Sequence, residues 1–377
     1  MSYLMNTVEV RQRRIVGASG AYLVDEDGNR LLDFHSDTGA SGLGYNHPQM
    51  IKALRKMEYG EAPLHTPNMF GWRDNEAIAG KLCEKAGMDK VFFCNSGSEA
   101  VETAIKLARL HQSAKGRCAI WSLEGGFHGR TSAALAASSG PEYYYQGFKP
   151  LTGGIRRFSD IYEVDPKAAA VLMSPVLGHH DVMPYSPGYL KEIREYCDKN
   201  DILLIFDEIQ CGSGRTGSYL YSQQVGVEAD IVCLAKGMAS GFPMGATLAR
   251  GAVANAFRPG THYSTFGGSP AAMAHLEATL EYLTPQFLSG VKQTGELIKD
   301  KMERMGWFTK IEGLGMMMVG HSEIDAVEFS RRCEEKGLII GAWRPNPIRI
   351  SPVLGAAWHD ILSGLEIMDE VYKEMMR

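Results

Sequence analysis

The sequence predicts an α/β fold built on a mostly parallel sheet with strands buried on both faces. Two stretches carry this expectation. The first is Ile231-Val-Cys-Leu-Ala-Lys-Gly-Met238, an apolar run that ends on one lysine and passes at once into glycine. The second is Ile202-Leu-Leu-Ile-Phe-Asp-Glu-Ile-Gln-Cys-Gly212, again apolar and again ending on a charge. Unbroken apolar runs suit strands covered on both sides, whereas a half-exposed strand alternates. The two runs lie within roughly 30 residues, the spacing of neighbouring parallel strands joined by a crossover.

The other elements follow in chain order. Ala21 to Phe34 reads as a hairpin, two alternating runs around Asp-Glu-Asp-Gly-Asn, with glycine where positive φ is wanted. His35 to Pro48 is glycine-rich and irregular, hence a loop, and His47-Pro48 opens a helix in which His47 reads as structural. Asn75 to Gly87 has helical spacing, Val91 to Cys94 is a short strand, and Asn95 to Arg109 is a helix entered through Ser-Gly-Ser. Free N–H groups and the positive dipole end at that junction suit an anion such as a phosphate, and Gly97 allows close backbone approach. Plain capping by Ser96 or Ser98, with Glu99 in the first turn, is the other reading; the two are compatible. Ala119-Ile-Trp-Ser and Ala168 to Met173 are strands, and an amphipathic helix follows Tyr185. Toward the C-terminus we expect a helix over 271–283, one strand over 313–320, a helix over 324–336 and a last strand over 348–354.

Composition narrows the function. The 377 residues are 45% hydrophobic and 22% charged with net charge −5, ordinary for a globular protein and long enough for two domains. That charge gives no support to nucleic-acid or membrane-surface binding, and the cluster of Arg11, Arg13 and Arg14 is too small to change this. No apolar run approaches the ~20 residues of a membrane span. The first residues, Met1-Ser-Tyr-Leu-Met-Asn-Thr, show no signal-peptide pattern. Seven scattered cysteines without a CxxC pair read as thiols of a reduced cytosol, with neither a disulfide framework nor a metal site.

A lone lysine at a strand end is either a solvated charge or an amine in a partly desolvated pocket, with its pKa lowered so that it attacks an aldehyde. Asp207 alone is equally a cap or a surface carboxylate. Beside Lys236 it reads as the group that keeps a pyridine nitrogen protonated, with Gln210 a donor to the ring oxygen. Asp207-Glu-Ile-Gln-Cys-Gly-Ser-Gly-Arg-Thr-Gly217, Leu234-Ala-Lys-Gly237 and Ser264-Thr-Phe-Gly-Gly268, in this order, resemble the class III aminotransferases. These are fold-type-I pyridoxal-phosphate enzymes that include acetylornithine, ornithine and 4-aminobutyrate aminotransferases. The resemblance runs from Gly20 to Arg349.

The resemblance implies a three-layer large domain with a seven-stranded sheet over 49–270. It also implies a small α+β domain made from 1–48 and 271–377. It implies pyridoxal 5'-phosphate as cofactor, carried on Lys236 as an aldimine and held by Asp207, Gln210, the backbone of Gly97 and Ser98, and Phe127 stacked on its ring. Thr265 reaches the phosphate of the other subunit's cofactor, so a homodimer with shared sites is implied. Arg130 and Arg349 take substrate carboxylates, for which a planar guanidinium fork is suited. The expected activity is ping-pong amino transfer from an amino donor to a 2-oxo acid such as 2-oxoglutarate, in the cytoplasm. An aminomutase or epimerase of the same family, or a cofactor-binding protein without turnover, are the alternatives.

One segment departs from the resemblance. Where the family reads Glu-Pro-(Ile/Val)-Gln-Gly-Glu, this chain has Ser174-Pro-Val-Leu-Gly-His179. The final glutamate of the family pairs with the arginine matching Arg349, and His179 offers no such permanent charge. The positions of the donor-side aromatics are also small here, Thr38 and Gly71. We therefore expect Arg349 to stay open and the donor to bear a carboxylate near its amine, unless Asp37 or another carboxylate takes over.

Overall fold

The computed structural model describes residues 3, 5–7, 11, 13–67, 69–72, 74–179, 181–343 and 346–377. Met1, Ser2 and Leu4, part of the stretch read for a leader, lie outside the described residues.

A seven-stranded sheet organises the chain. From edge to edge it runs Lys90–Cys94, Gly245–Ala249, Ile231–Leu234, Leu203–Asp207, Ala170–Met173, Ile120–Leu123 and Ile155–Phe158. Gly245–Ala249 is antiparallel to both its neighbours, and the remaining pairings are parallel. This strand was not anticipated. Its Gly-Ala-Thr-Leu-Ala composition lacks the β-branched density of the others, and only its buried place in the sheet makes it a strand.

Side chains two apart on a strand share a face, and the sheet divides its core accordingly. Ala170, Leu172, Leu203, Ile205, Ile231 and Cys233 face the helix Gly97–Gln112, which meets them with Ala100, Val101, Ala104 and Ala108. Those small residues let the helix lie close to the strands, so enlarging Ala104 would force the layers apart. Val171, Met173, Leu204, Phe206, Val232 and Leu234 point into the larger core on the other face. Burial on both faces explains why the second and third of these strands read as continuous apolar runs.

The two chain ends meet in smaller sheets. Ile15–Ser19, Tyr22–Asp25 and Arg30–Asp33 form an antiparallel meander whose last strand pairs in parallel with Leu338–Ile339. A second four-stranded sheet contains Lys310–Leu314, Met317–His321, Pro347–Ile350 and Gly341–Ala342. Here the expected single strand over 313–320 is a hairpin with Leu314 opposite Met317. Gly313 at φ +115° and Gly315 at φ +56° make that turn, hidden from pattern reading inside an unbroken apolar run. His47 caps the helix Pro48–Glu58, its Nδ1 accepting from the Gln49 N–H at 3.3 Å.

Candidate active site

The carboxyl ends of parallel strands gather ligand-binding groups in open α/β sheets. Asp207 closes one strand and faces Cys233 of the next, three residues before Lys236. A cavity of about 330 Å³ opens at this edge, and Gly97, Ser98, Phe127, Asp207, Gln210 and Lys236 all line it. Two of the described non-glycine residues with positive φ meet here, Lys236 in the cavity wall and Thr38 bonded to it. Each costs roughly 1–3 kcal/mol, and such strain concentrates at functional sites.

Asp207 is buried, and both its oxygens are engaged. One accepts from the Ile209 N–H at 3.1 Å, and the other lies 2.7 Å from Nδ1 of His128. A carboxylate only accepts, so this imidazole nitrogen donates. His128 escaped the sequence reading because its pairing joins positions 79 apart; the Phe-His-Gly turn was the available signal.

Lys236 begins a short 3-10 turn at φ +46°, and its Nζ donates to Thr38 Oγ1 at 3.2 Å. Burial, followed by the charge of Arg349, pulls its pKa from 10.5 down to about 8, against the opposing pull of Asp207 and Asp37. Such an amine is neutral often enough near neutrality to act as nucleophile and proton carrier.

Gly97 and Ser98 form the first turn of the helix Gly97–Gln112, capped by Ser96 Oγ accepting from the Glu99 N–H at 3.2 Å. Ser98 Oγ accepts from the Arg130 N–H at 3.2 Å. Phe127 stacks on the His179 imidazole, with centroids 4.6 Å apart and planes at 13°. Tyr144 fixes that imidazole, its hydroxyl 2.6 Å from Nε2, and the Arg130 guanidinium lies 3.8 Å over the Tyr144 ring. Arg130 itself is exposed and outside the cavity lining. Tyr144 was not anticipated either, since only the folded chain brings it to His179.

Arg349 departs from expectation. It is 1% exposed and does not line the cavity. One of its terminal nitrogens donates to the Gly178 carbonyl, its plane lies 4.6 Å over the Trp343 ring, and Nε has no hydrogen-bond partner. Gln210, with its amide oriented to satisfy both neighbours, donates to the Gly178 carbonyl at 2.9 Å and accepts from Arg349 Nη1 at 3.1 Å. The arginine is therefore covered rather than open. Among the described residues no carboxylate forms an ion pair with it, Asp37 included. Burial lowers its pKa to about 10, with Asp181 acting the other way. Thr265 is exposed and outside the lining of that cavity; it lines a neighbouring one with Glu99 and His262, and Asn95 borders both.

Comparison with known proteins agrees with this arrangement. The family model described as Aminotransferase class-III matches residues 5–372. The chain is 35% identical to the acetylornithine aminotransferase of Clostridium acetobutylicum over 388 residues, covering 99% of each. It is 37% identical to that of Caldanaerobacter subterraneus subsp. tengcongensis over 389 residues, covering 99% of this chain and 98% of the relative. A solved ornithine aminotransferase from Toxoplasma gondii, described with partial occupancy of PLP at its active site, superposes with a TM-score of 0.92 at 28% identity. That match covers 100% of this chain and 94% of the other. The chain belongs to the class-III aminotransferases.

Proposed function

We propose that the protein transfers an amino group from an amino acid to a 2-oxo acid with pyridoxal 5'-phosphate as cofactor. The observation that carries this reading is the partly buried Lys236 amine in one cavity with Asp207 and the first turn of the helix Gly97–Gln112. The residues present fit the cofactor. Gly97 and Ser98 offer backbone N–H groups to a phosphate, and Asp207, held by His128, offers an anion to a protonated ring nitrogen. Phe127 and Ile209 line the space between as apolar walls. When bound, the cofactor supplies an electron sink for the carbon whose C–H bond breaks. Lys236 gives and takes the proton at that carbon, and its left-handed backbone fixes the amine's direction. His128 holds Asp207 in its orientation.

The assembly is a homodimer in the cytoplasm. Thr265, Tyr263 and Phe266 are exposed on one segment, open to a second copy, and the resemblance assigns Thr265 to that copy's cofactor phosphate. The domains divide as residues 1–48 with 271–377, and 49–270. A screen of amino acids against 2-oxoglutarate and pyruvate tests the function. We expect turnover in the wild type and its loss in Lys236→Ala with the fold retained; full turnover in that variant would refute the assignment.

A further inference from the structure

Phe127 and His179 both line the cavity, and their rings stack with centroids 4.6 Å apart and planes at 13°. His179 lies in the loop between Val176–Leu177 and Met183–Pro184, an antiparallel pair of two-residue strands. A loop with so little regular structure does not by itself hold an imidazole in one plane. Tyr144 supplies the hold, with its hydroxyl 2.6 Å from Nε2. That tyrosine is in turn fixed by the fold. It is buried, it packs with Leu135 and Tyr145, and the Arg130 guanidinium lies over its ring. Gly140 makes room for it, since a Cβ there would stand 2.4 Å from Tyr144 Cδ2. Support therefore runs from a buried anchor, through a hydrogen bond, to a stacked ring in the cavity wall.

We propose that His179 is a positioning residue for the cofactor, one that sets the plane of Phe127 and is itself set by Tyr144. This rests on the amino-transfer reading above and deepens it. A phenyl ring free to tilt gives up that freedom when a flat ligand stacks on it, and a wall already fixed avoids the cost. A parallel aromatic contact and a neutral hydrogen bond are each worth roughly two- to tenfold in an equilibrium constant. The residue type matters here. A carboxylate at position 179 would keep a bond to the Tyr144 hydroxyl but has no ring to lay against Phe127. The departure at Ser174-Pro-Val-Leu-Gly-His179 thus exchanges a charge for a flat, hydrogen-bonded brace.

The test uses 4'-deoxypyridoxine phosphate, which keeps the flat ring and the phosphate but lacks the aldehyde, so that its binding does not depend on Lys236. The full chain, freed of cofactor, is titrated with this probe. His179→Gln, which keeps a partner for Tyr144 and loses the ring, should bind it roughly five- to tenfold more weakly than wild type. His179→Phe, which keeps the ring, should stay within roughly threefold of wild type. Tyr144→Phe should weaken binding roughly threefold in the wild-type background and leave it unchanged in His179→Gln, because it acts through the imidazole. After loading with pyridoxal 5'-phosphate, circular dichroism in the cofactor band should change in His179→Gln and return in His179→Phe. Binding by His179→Gln within roughly twofold of wild type would overturn the proposal. So would tighter binding, which would mean that the imidazole occupies the ligand ring's place, or an equal effect of Tyr144→Phe in both backgrounds. A wild-type chain that binds neither the probe nor the cofactor would sink the amino-transfer reading and the brace together.

Discussion

Arg215 and Arg349 are both buried guanidiniums, both lowered to about 10 by burial, and neither forms an ion pair with a described carboxylate. Their partners separate them. Arg215 donates only to backbone carbonyls, those of Pro352, Met316 at 3.1 Å and Gly39 at 3.5 Å. It ties together the segments at Gly39, Met316 and Pro352, and none of its partners can turn away. Arg349 has one fixed carbonyl, one rotatable amide and one nitrogen without a partner. A satisfied buried cation reads as structure. One held by exchangeable neutral groups beside a cavity fits the substrate-facing arginine that the resemblance implies.

The largest effect should come from breaking the staple. Arg215→Met leaves carbonyls unpaired at roughly 1–3 kcal/mol each, so a loss of at least about 3 kcal/mol is expected from denaturant unfolding. A loss below about 1 kcal/mol would erase the contrast. Lys236 is a partly buried cation and sharpens it, because its desolvation has a functional use and no stabilising one. In the cofactor-free protein, Lys236→Met should gain up to roughly 3 kcal/mol at pH 7, the equivalent of a fall from 10.5 to about 8. Below pH 8 the amine is charged in both folded and unfolded chains, and the folded chain bears the whole burial cost. Between about 8 and 10.5 only the unfolded chain keeps the proton, so wild-type stability should rise with pH across that window and the mutant's advantage should shrink.

Arg349→Met should behave oppositely to Arg215→Met. Stability is expected to stay within about 1 kcal/mol, since an apolar side chain avoids the desolvation cost. Affinity of the cofactor-loaded enzyme for glutarate, a dicarboxylate that cannot react, should fall roughly a hundredfold, the equivalent of about 3 kcal/mol for charge-assisted bonds. The smallest effect belongs to Asp181→Asn. Its half-exposed carboxylate is screened by solvent, so glutarate binding should change less than threefold and the change should vanish at high salt.

Much of this was legible before folding because strand ends announce themselves. Apolar runs stopping at Asp207 and Lys236, and a Ser-Gly turn into a helix at Gly97, are local patterns with local causes. What escaped depends on partners remote in sequence. His128 meets Asp207 across 79 positions, Tyr144 meets His179 across 35, and Gln210 meets Arg349 at the cavity wall. Arg349 was expected open because the missing glutamate is visible in sequence; the carbonyl and amide that cover it are not. The hairpin at Leu314 and Met317 escaped for a simpler reason, a turn whose residues are as apolar as its strands.

Lys236 as the point of cofactor attachment is tested most directly by borohydride reduction after loading with pyridoxal phosphate, followed by peptide mapping. Reduction makes the bond to the lysine permanent. The label should fall on the peptide containing Lys236 with near-unit stoichiometry, and its yield should rise with pH about a midpoint near 8. Label confined to another lysine, or none at all on a protein that binds the cofactor, would contradict the assignment of this cavity.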